Sequence, residues 1–339
     1  MTEINEIKLF KPVYNNIIKS NIYDKIESNI CFWNNLSQNE YIIDIITNYY
    51  DKINNIWLSR NKNAIHLLEQ NKDKIDWIYL SQNENAVHLL EQNQNKIDWN
   101  YLCFNVNINA IKLLEKNQNK INWIYLSRNQ NALYLLEQNQ DKIDWNYLCF
   151  NVNIHAIKLL EKNKDKINWR NLSKNKGAIS LLKENINKID WDNLSENENA
   201  IHLLEQNPDK INWVHLCLNK NALHLLEQNQ DKIDWYFLSQ NKSAIHLLEQ
   251  NQDKIDWVGL CLNENAINLL QQNPEKINWE LLAFNKNICQ IICSLDYKKM
   301  KENNYIFLEE LCTWVFNPNR LNRIANLSNI TLDKLLEYY

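Results

Sequence analysis

Apolar positions along this chain arrive in two short bursts per interval, and the interval itself recurs. In residues 77–98 the first burst is Trp77 and Leu80, three apart on one helical face. The second is Ala86, Val87, Leu89 and Leu90, again one stripe at helical spacing, and Ile97 closes the interval. Between the bursts lie Asn, Gln, Ser, Glu and Lys. The same phrase restarts at Trp99, Trp123, Trp145, Trp169, Trp191, Trp213, Trp235, Trp257 and Trp279, always 22 or 24 residues on. A fixed period of this length marks a repeat architecture in which each unit is one supersecondary element.

Each unit predicts two short helices. Asp76, Asp98, Asp144 and Asp190, or Asn122 in another unit, precede the Trp slot as N-cap acceptors. Helix A opens at the Trp and closes at an Asn six residues later, found at Asn39, Asn61, Asn83, Asn105, Asn129, Asn151, Asn175, Asn197, Asn219, Asn241, Asn263 and Asn285 without exception. Asn caps helices and bonds neighbouring amides in tight turns, so a stack of such residues reads as a bracing ladder. Helix B follows as Asn-Ala-Ile-x-Leu-Leu-Glu-Gln-Asn. A third turn returns the chain to the next cap, with Pro208 and Pro274 where proline suits a first helical position.

Helices this short are marginal alone in water, so stacking must supply the stability. The expected fold is all-α: an α-solenoid of two-short-helix repeats, a single elongated curved domain with helical caps. Residues 1–30 read as the N-terminal cap, 31–287 as about eleven to twelve repeats, and 288–339, with Trp314 and a Leu321–Leu336 apolar rhythm, as the C-terminal cap. With helices about 8–10 Å apart, an open array of this length would be a curved rod on the order of 100 Å long, its Trp, Leu, Ala and Ile slots forming the core. The units at Trp99 and Trp145 carry two extra residues, expected to lengthen the turn between helices A and B.

Composition narrows the chemistry. The formal charge of −4 and pI near 6.0 give no cationic excess with which to grip nucleic acid or an anionic membrane. No apolar run nears the roughly 20 residues of a membrane span, and the N-terminus lacks a signal-like core, so no membrane partner and a cytoplasmic protein are expected. With 2 glycines in 339 residues, the usual phosphate-cradling loops have no material, and neither cofactor nor small-molecule substrate is expected. Cys103, Cys149, Cys217 and Cys261 share the slot four residues after the Trp with Ser81, Ser127, Ser173, Ser195 and Ser239, which marks a small, partly buried side chain rather than a crosslink. Cys289 and Cys293 lack a second ligand pair, and no metal is expected.

Three periodic features could carry function. His66, His88, His202, His224 and His246 each precede a Glu by three residues; with no third ligand they read as solvated i,i+3 pairs. Lys74, Lys96, Lys120 and their equivalents precede the Ile of each unit, interleaved with Asp73, Asp141 and Asp165, and read as a paired surface ladder rather than a phosphate track. The slots one, two and five residues after the Trp vary freely while the core slots do not. They hold Tyr79, Tyr101, Tyr125, Tyr147, His215 and Phe237 at the second slot, and Phe104, Phe150, Leu218, Leu262 and Phe284 at the fifth. Apolar and aromatic anchors on an outward face suit a protein partner, so the expected function is a non-enzymatic protein-protein interaction scaffold. Single-stranded RNA binding by the stacked second-slot rings is the alternative, and a structural or virion-packaged repeat protein a further one.

The phrase Asn-x-Asn-Ala-Ile-x-Leu-Leu-Glu-x-Asn-Pro-Asp-Lys-Ile-Asn-Trp, seen at Asn197–Trp213, resembles a short-period, Trp/Asn-rich helical repeat of uncharacterised proteins from giant nucleocytoplasmic large DNA viruses. The resemblance covers residues 31–287. It implies an α-solenoid acting in the host cell cytoplasm and brings no assigned chemistry.

Overall fold

Helix follows helix in a strict order that a computed structural model of the 339-residue chain resolves repeat by repeat, with residues 16–295 described. Contacts divide the chain into two compact units, Asn21–Ile292 and a second formed by Met1–Ser20 with Cys293–Tyr339. The described part of the second unit is a two-stranded antiparallel pairing of β1 (Asn16–Ile18) with β2 (Cys293–Leu295), Ile17 opposite Ser294. The N-terminal cap expectation thus meets a strand and one helix, Ser20–Ile26, in its described portion. Residues 296–339, including Trp314 and the Leu321–Leu336 rhythm, lie outside the described residues.

The large unit is an all-helical solenoid of twelve repeats, the first and second starting at the Trp33 and Asn55 slots. In a representative repeat the A helix is Trp77–Gln82, the B helix Val87–Gln92, and a 3-10 turn covers Gln94–Lys96. Asp76 caps the A helix by accepting from the Ile78 and Tyr79 amides. Pro208 and Pro274 open 3-10 turns, where their missing N–H costs nothing.

Asn is abundant because each repeat gives it several jobs. The Asn six residues after the Trp slot is buried in every repeat. Its Oδ1 accepts the backbone N–H two residues on, and its Nδ2 donates to two carbonyls of the preceding repeat; Asn219, for instance, reaches Ser195 O and Asn197 O, both at 3.0 Å. A second Asn, as at Asn221, donates to the preceding repeat's backbone at Glu198 O, 2.9 Å. A third ends the B helix by donating to the carbonyl four residues back, as Asn229 does to Leu225 at 2.9 Å. The carbonyls and amides freed where short helices end are therefore satisfied by side-chain amides.

The ladder returns to its start. Asn39 of the first repeat donates to Ala283 O at 2.9 Å and Asn285 O at 3.0 Å, the same two positions of the twelfth repeat that every other ladder Asn uses in its predecessor. Asn35 adds a bond to Glu280 O at 2.9 Å, and Lys25 lies 6.0 Å from the Trp279 ring. The expectation of an open, elongated rod is corrected accordingly: the repeats of Asn21–Ile292 form a closed ring. If helix axes are about 8–10 Å apart, twelve A helices in a circle place their axes on a ring roughly 30–40 Å across.

Three further readings change. The fully buried side chains of the ring are the Leu of the A helix and the Ala and second Leu of the B helix, such as Leu80, Ala86 and Leu90. The Trp side chains are only half-buried, Trp33 excepted. From Trp77 to Trp257 each Trp at the head of an A helix instead lies under the ammonium of the Lys 19 or 21 residues later, as with Lys166 over Trp145 at 4.5 Å and Lys276 over Trp257 at 4.1 Å. The lysine row is thus a cation–π row, not an Asp-paired one. Finally, the two extra residues of the Trp99 and Trp145 repeats lengthen the B helix rather than the turn. Those helices run Ile108–Lys116 and Ile154–Lys162, newly capped by Asn107 and Asn153.

Candidate interaction surface

The fifth and seventh slots of each repeat fall just before and just after the buried ladder Asn, so the ladder fixes where their side chains emerge. Successive A helices approach one another more closely than successive B helices do, which places the A row on the inner circumference. The side chains confirm it by converging. Arg60, Gln82, Phe104, Val106, Arg128, Gln130, Phe150 and Val152, drawn from five consecutive repeats, line one cavity of about 470 Å³. A second, of about 540 Å³, continues it from Arg128 and Phe150 through Lys174, Glu196 and Leu218 to Lys220. A third spans the closure, with Phe284 beside Gln38, Arg60 and Lys62.

Of the fifth-slot candidates, Phe104, Phe150 and Leu218 are half-buried, whereas Leu262 and Phe284 are 39% and 45% exposed. All belong to this inner row, so the expectation that they face outward is corrected to inward-facing. The second-slot candidates behave differently. Trp57, Tyr79, Tyr101, Phe104, Tyr125 and Tyr147 form one run of ring contacts with centroids 4.7–6.4 Å apart, mostly tilted or edge-on. Phe237 packs edge-on against Tyr236, and His215 is half-buried 4.0 Å from the Glu196 carboxylate with no hydrogen bond to its Nδ1. The rings of the Trp57–Tyr147 run brace neighbouring A helices and offer few free faces.

The seventh slot was not singled out from the sequence, and it carries most of the inner charge. Glu198 accepts from Lys176 at 2.8 Å and Lys220 at 3.1 Å; Glu264 accepts from Lys242 and Lys286; Lys62 donates to Glu84 at 2.7 Å. Hydrogen bonds from Lys176 and from Lys242 hold the Glu198 and Glu264 carboxyls below the usual carboxylate range, and Lys62 and Lys242 are raised by their bonds to Glu84 and Glu264. The signal was legible as Lys and Glu exchanging at one slot every 22 residues. The row is interrupted at Val106, Gln130 and Val152, in the sector that also holds Phe104, Arg128 and Phe150.

The remaining candidates resolve into structure. His88 and His224 bond Glu69 and Glu205 of the preceding repeat at 2.8 and 2.9 Å; only His202 makes the expected i,i+3 approach, to Glu205 at 3.8 Å. The Ser of the fourth slot donates to the Trp carbonyl of its own helix and accepts the next cap's amide, as Ser127 does from Asp144 N at 3.0 Å. Cys fills the same space, and burial pushes the Cys103, Cys149 and Cys217 thiols up to about 11. Among the described residues no three His, Cys, Asp or Glu converge in a way that could hold a metal ion, and no helix is long and apolar enough to cross a membrane. No protein-family model, curated protein or solved structure matches the chain.

Proposed function

We propose that the ring is a non-enzymatic interaction scaffold whose inner face receives a protein partner. The observation that carries this reading is the uncoupling of frame from surface. The core slots and the Asn ladder barely change through twelve repeats, while the fifth and seventh slots, which converge on the inner face, vary from Phe and Val to Arg, Lys and Glu. Substitution there leaves the buried Leu, Ala and Asn frame intact, so the inner face is where specificity is stored. Half-buried and exposed apolar side chains there, Phe104, Phe150, Leu262 and Phe284 among them, have the character of anchors. Resemblance of the repeat phrase to giant-virus proteins extends the proposal to a viral protein working in host cytoplasm.

Single-stranded RNA binding loses its main support, because the second-slot rings are engaged with one another instead of standing free for base stacking. The test is an affinity capture of the tagged full chain, divided into nuclease-treated and untreated halves. A stoichiometric protein retained after nuclease supports the scaffold. RNA enrichment, with proteins lost on nuclease treatment, replaces it with the RNA reading, and a clean column with neither favours a structural or virion-packaged role.

A further inference from the structure

Ten of the twelve seventh-slot residues are charged or, at Gln130, polar; the two exceptions are Val106 and Val152. Both belong to the repeats with lengthened B helices, and in both the fifth slot is Phe, giving the pairs Phe104/Val106 and Phe150/Val152 on one cavity. Val152 is 47% exposed, an unusual state for a side chain that points into a concavity. Two matched apolar pairs therefore stand two repeats apart on the inner face.

Charge around the pairs is one-sided. Arg128 lies between them, its guanidinium 5.4 Å from the Phe150 ring, and Arg60 lines the same cavity. Neither arginine has a carboxylate partner among the described residues, although Lys62, Lys174, Lys176, Lys220, Lys242 and Lys286 of the inner rows all do. No Asp or Glu occupies the fifth or seventh slot between Glu84 and Glu196. In a chain of net charge −4 this sector is a local cationic and apolar exception.

Resting on the scaffold reading above, we propose that this sector is the docking site for an acidic peptide segment with two apolar anchors. The anchors would sit on the Phe104/Val106 and Phe150/Val152 pairs, and carboxylates between and beside them would meet Arg128 and Arg60, where guanidinium geometry favours two-point bonding. Two repeats span roughly 16–20 Å, the reach of about five or six residues of extended chain, which sets the anchor spacing. Arginine without a carboxylate in its own fold is the feature that selects an acidic occupant over a neutral one.

The test is to pan a random 16-residue peptide display library against the full chain, then measure binding of enriched synthetic peptides to the wild type and to R128E, F150A and a control on an exposed B-helix position away from the inner face, Lys116→Gln. Enriched peptides should be net acidic with two apolar residues five or six apart, and R128E and F150A should each bind at least tenfold more weakly while the control binds normally. Far-UV circular dichroism and thermal midpoints establish that the variants are folded. Enriched peptides that are neutral or basic, or that bind R128E and F150A normally, overturn this site and leave the scaffold standing. A library that yields no binder also overturns it. Failure of the scaffold itself is read separately, from a nuclease-resistant capture that contains no protein.

Discussion

Replacing Asn219 by alanine removes three hydrogen bonds at a side chain with no solvent exposure. Asn197 O retains a bond from the Ala200 N–H at 3.0 Å, so two groups lose their partner outright, the Ser195 carbonyl and the Asn221 N–H. At about 1–3 kcal/mol for each buried group left unpaired, N219A should destabilise the ring by roughly 2–6 kcal/mol. The decisive comparison is N219D. Aspartate keeps an acceptor for the Asn221 N–H but turns a carboxylate oxygen toward two carbonyls 3.0 Å from the present Nδ2. If the Asn were only a turn acceptor, aspartate would serve; if the donated pair holds the repeats together, aspartate is at least as damaging as alanine. Urea unfolding followed by both Trp fluorescence and far-UV circular dichroism gives the midpoints, with both probes needed because repeat arrays depart from two-state behaviour. An N219D protein within about 0.5 kcal/mol of wild type, the range of an uninvolved surface change, would refute the ladder.

Other outcomes follow from the same geometry. Trp145→Ala, which removes a half-buried plate and its contact with Lys166, should cost less than Leu148→Ala, placed at about 2–5 kcal/mol by its complete burial; equal urea midpoints, or a larger Trp cost, would contradict the half-buried assignment. At pH 8, iodoacetamide should modify the exposed Cys31 while Cys103, Cys149 and Cys217, pushed up to about 11, stay unmodified until the protein is denatured, as peptide mass spectrometry of timed samples would record. Glu198 and Glu264 have folded-state pKa values below the ordinary carboxylate range, so their contribution is present above that range and is lost as pH falls through the lowered values. Glu264→Gln should accordingly flatten the acid limb of the thermal midpoint against pH, and an unchanged limb would show the Lys242 and Lys286 bonds to be inert.

Much of the frame was legible in the sequence because it is local. The Asp or Asn before each Trp is a cap, the Asn six residues later is a buried brace, and the Leu and Ala slots are core, each read from spacing alone. Trp145 and its equivalents were misplaced in the core because hydrophobicity marks them for burial, whereas the A helix gives them only one buried side and Lys166 covers the other. The extra residues, Ile108–Asn109 in the Trp99 repeat, are expected in the turn from spacing alone; Asn107 keeps the bonds that Asn85 makes in a shorter repeat and in addition caps a helix starting at Ile108, a choice that both lengths allow. Closure was the least legible feature, since it depends on small rotations per repeat that sum to a full turn and leave no mark on the period. One residue does carry a trace of it. Ala283 replaces the Ser or Cys that in every other repeat fills the fourth slot and accepts the next cap's amide, and there the neighbour is the first repeat.

Ring closure, on which the inner face and its cavities depend, is tested most directly by pulsed electron paramagnetic resonance between spin labels at Gln38 and Phe284, in full-length protein whose other accessible cysteines are serine. Arg60 and Gln82, fifth-slot residues of adjacent repeats within the array, provide the reference pair. A closed ring predicts that the Gln38–Phe284 distance matches the reference, since both residues line one cavity with Arg60. A distance several times longer, tending toward the roughly 100 Å of an open array of this many helices, would contradict it.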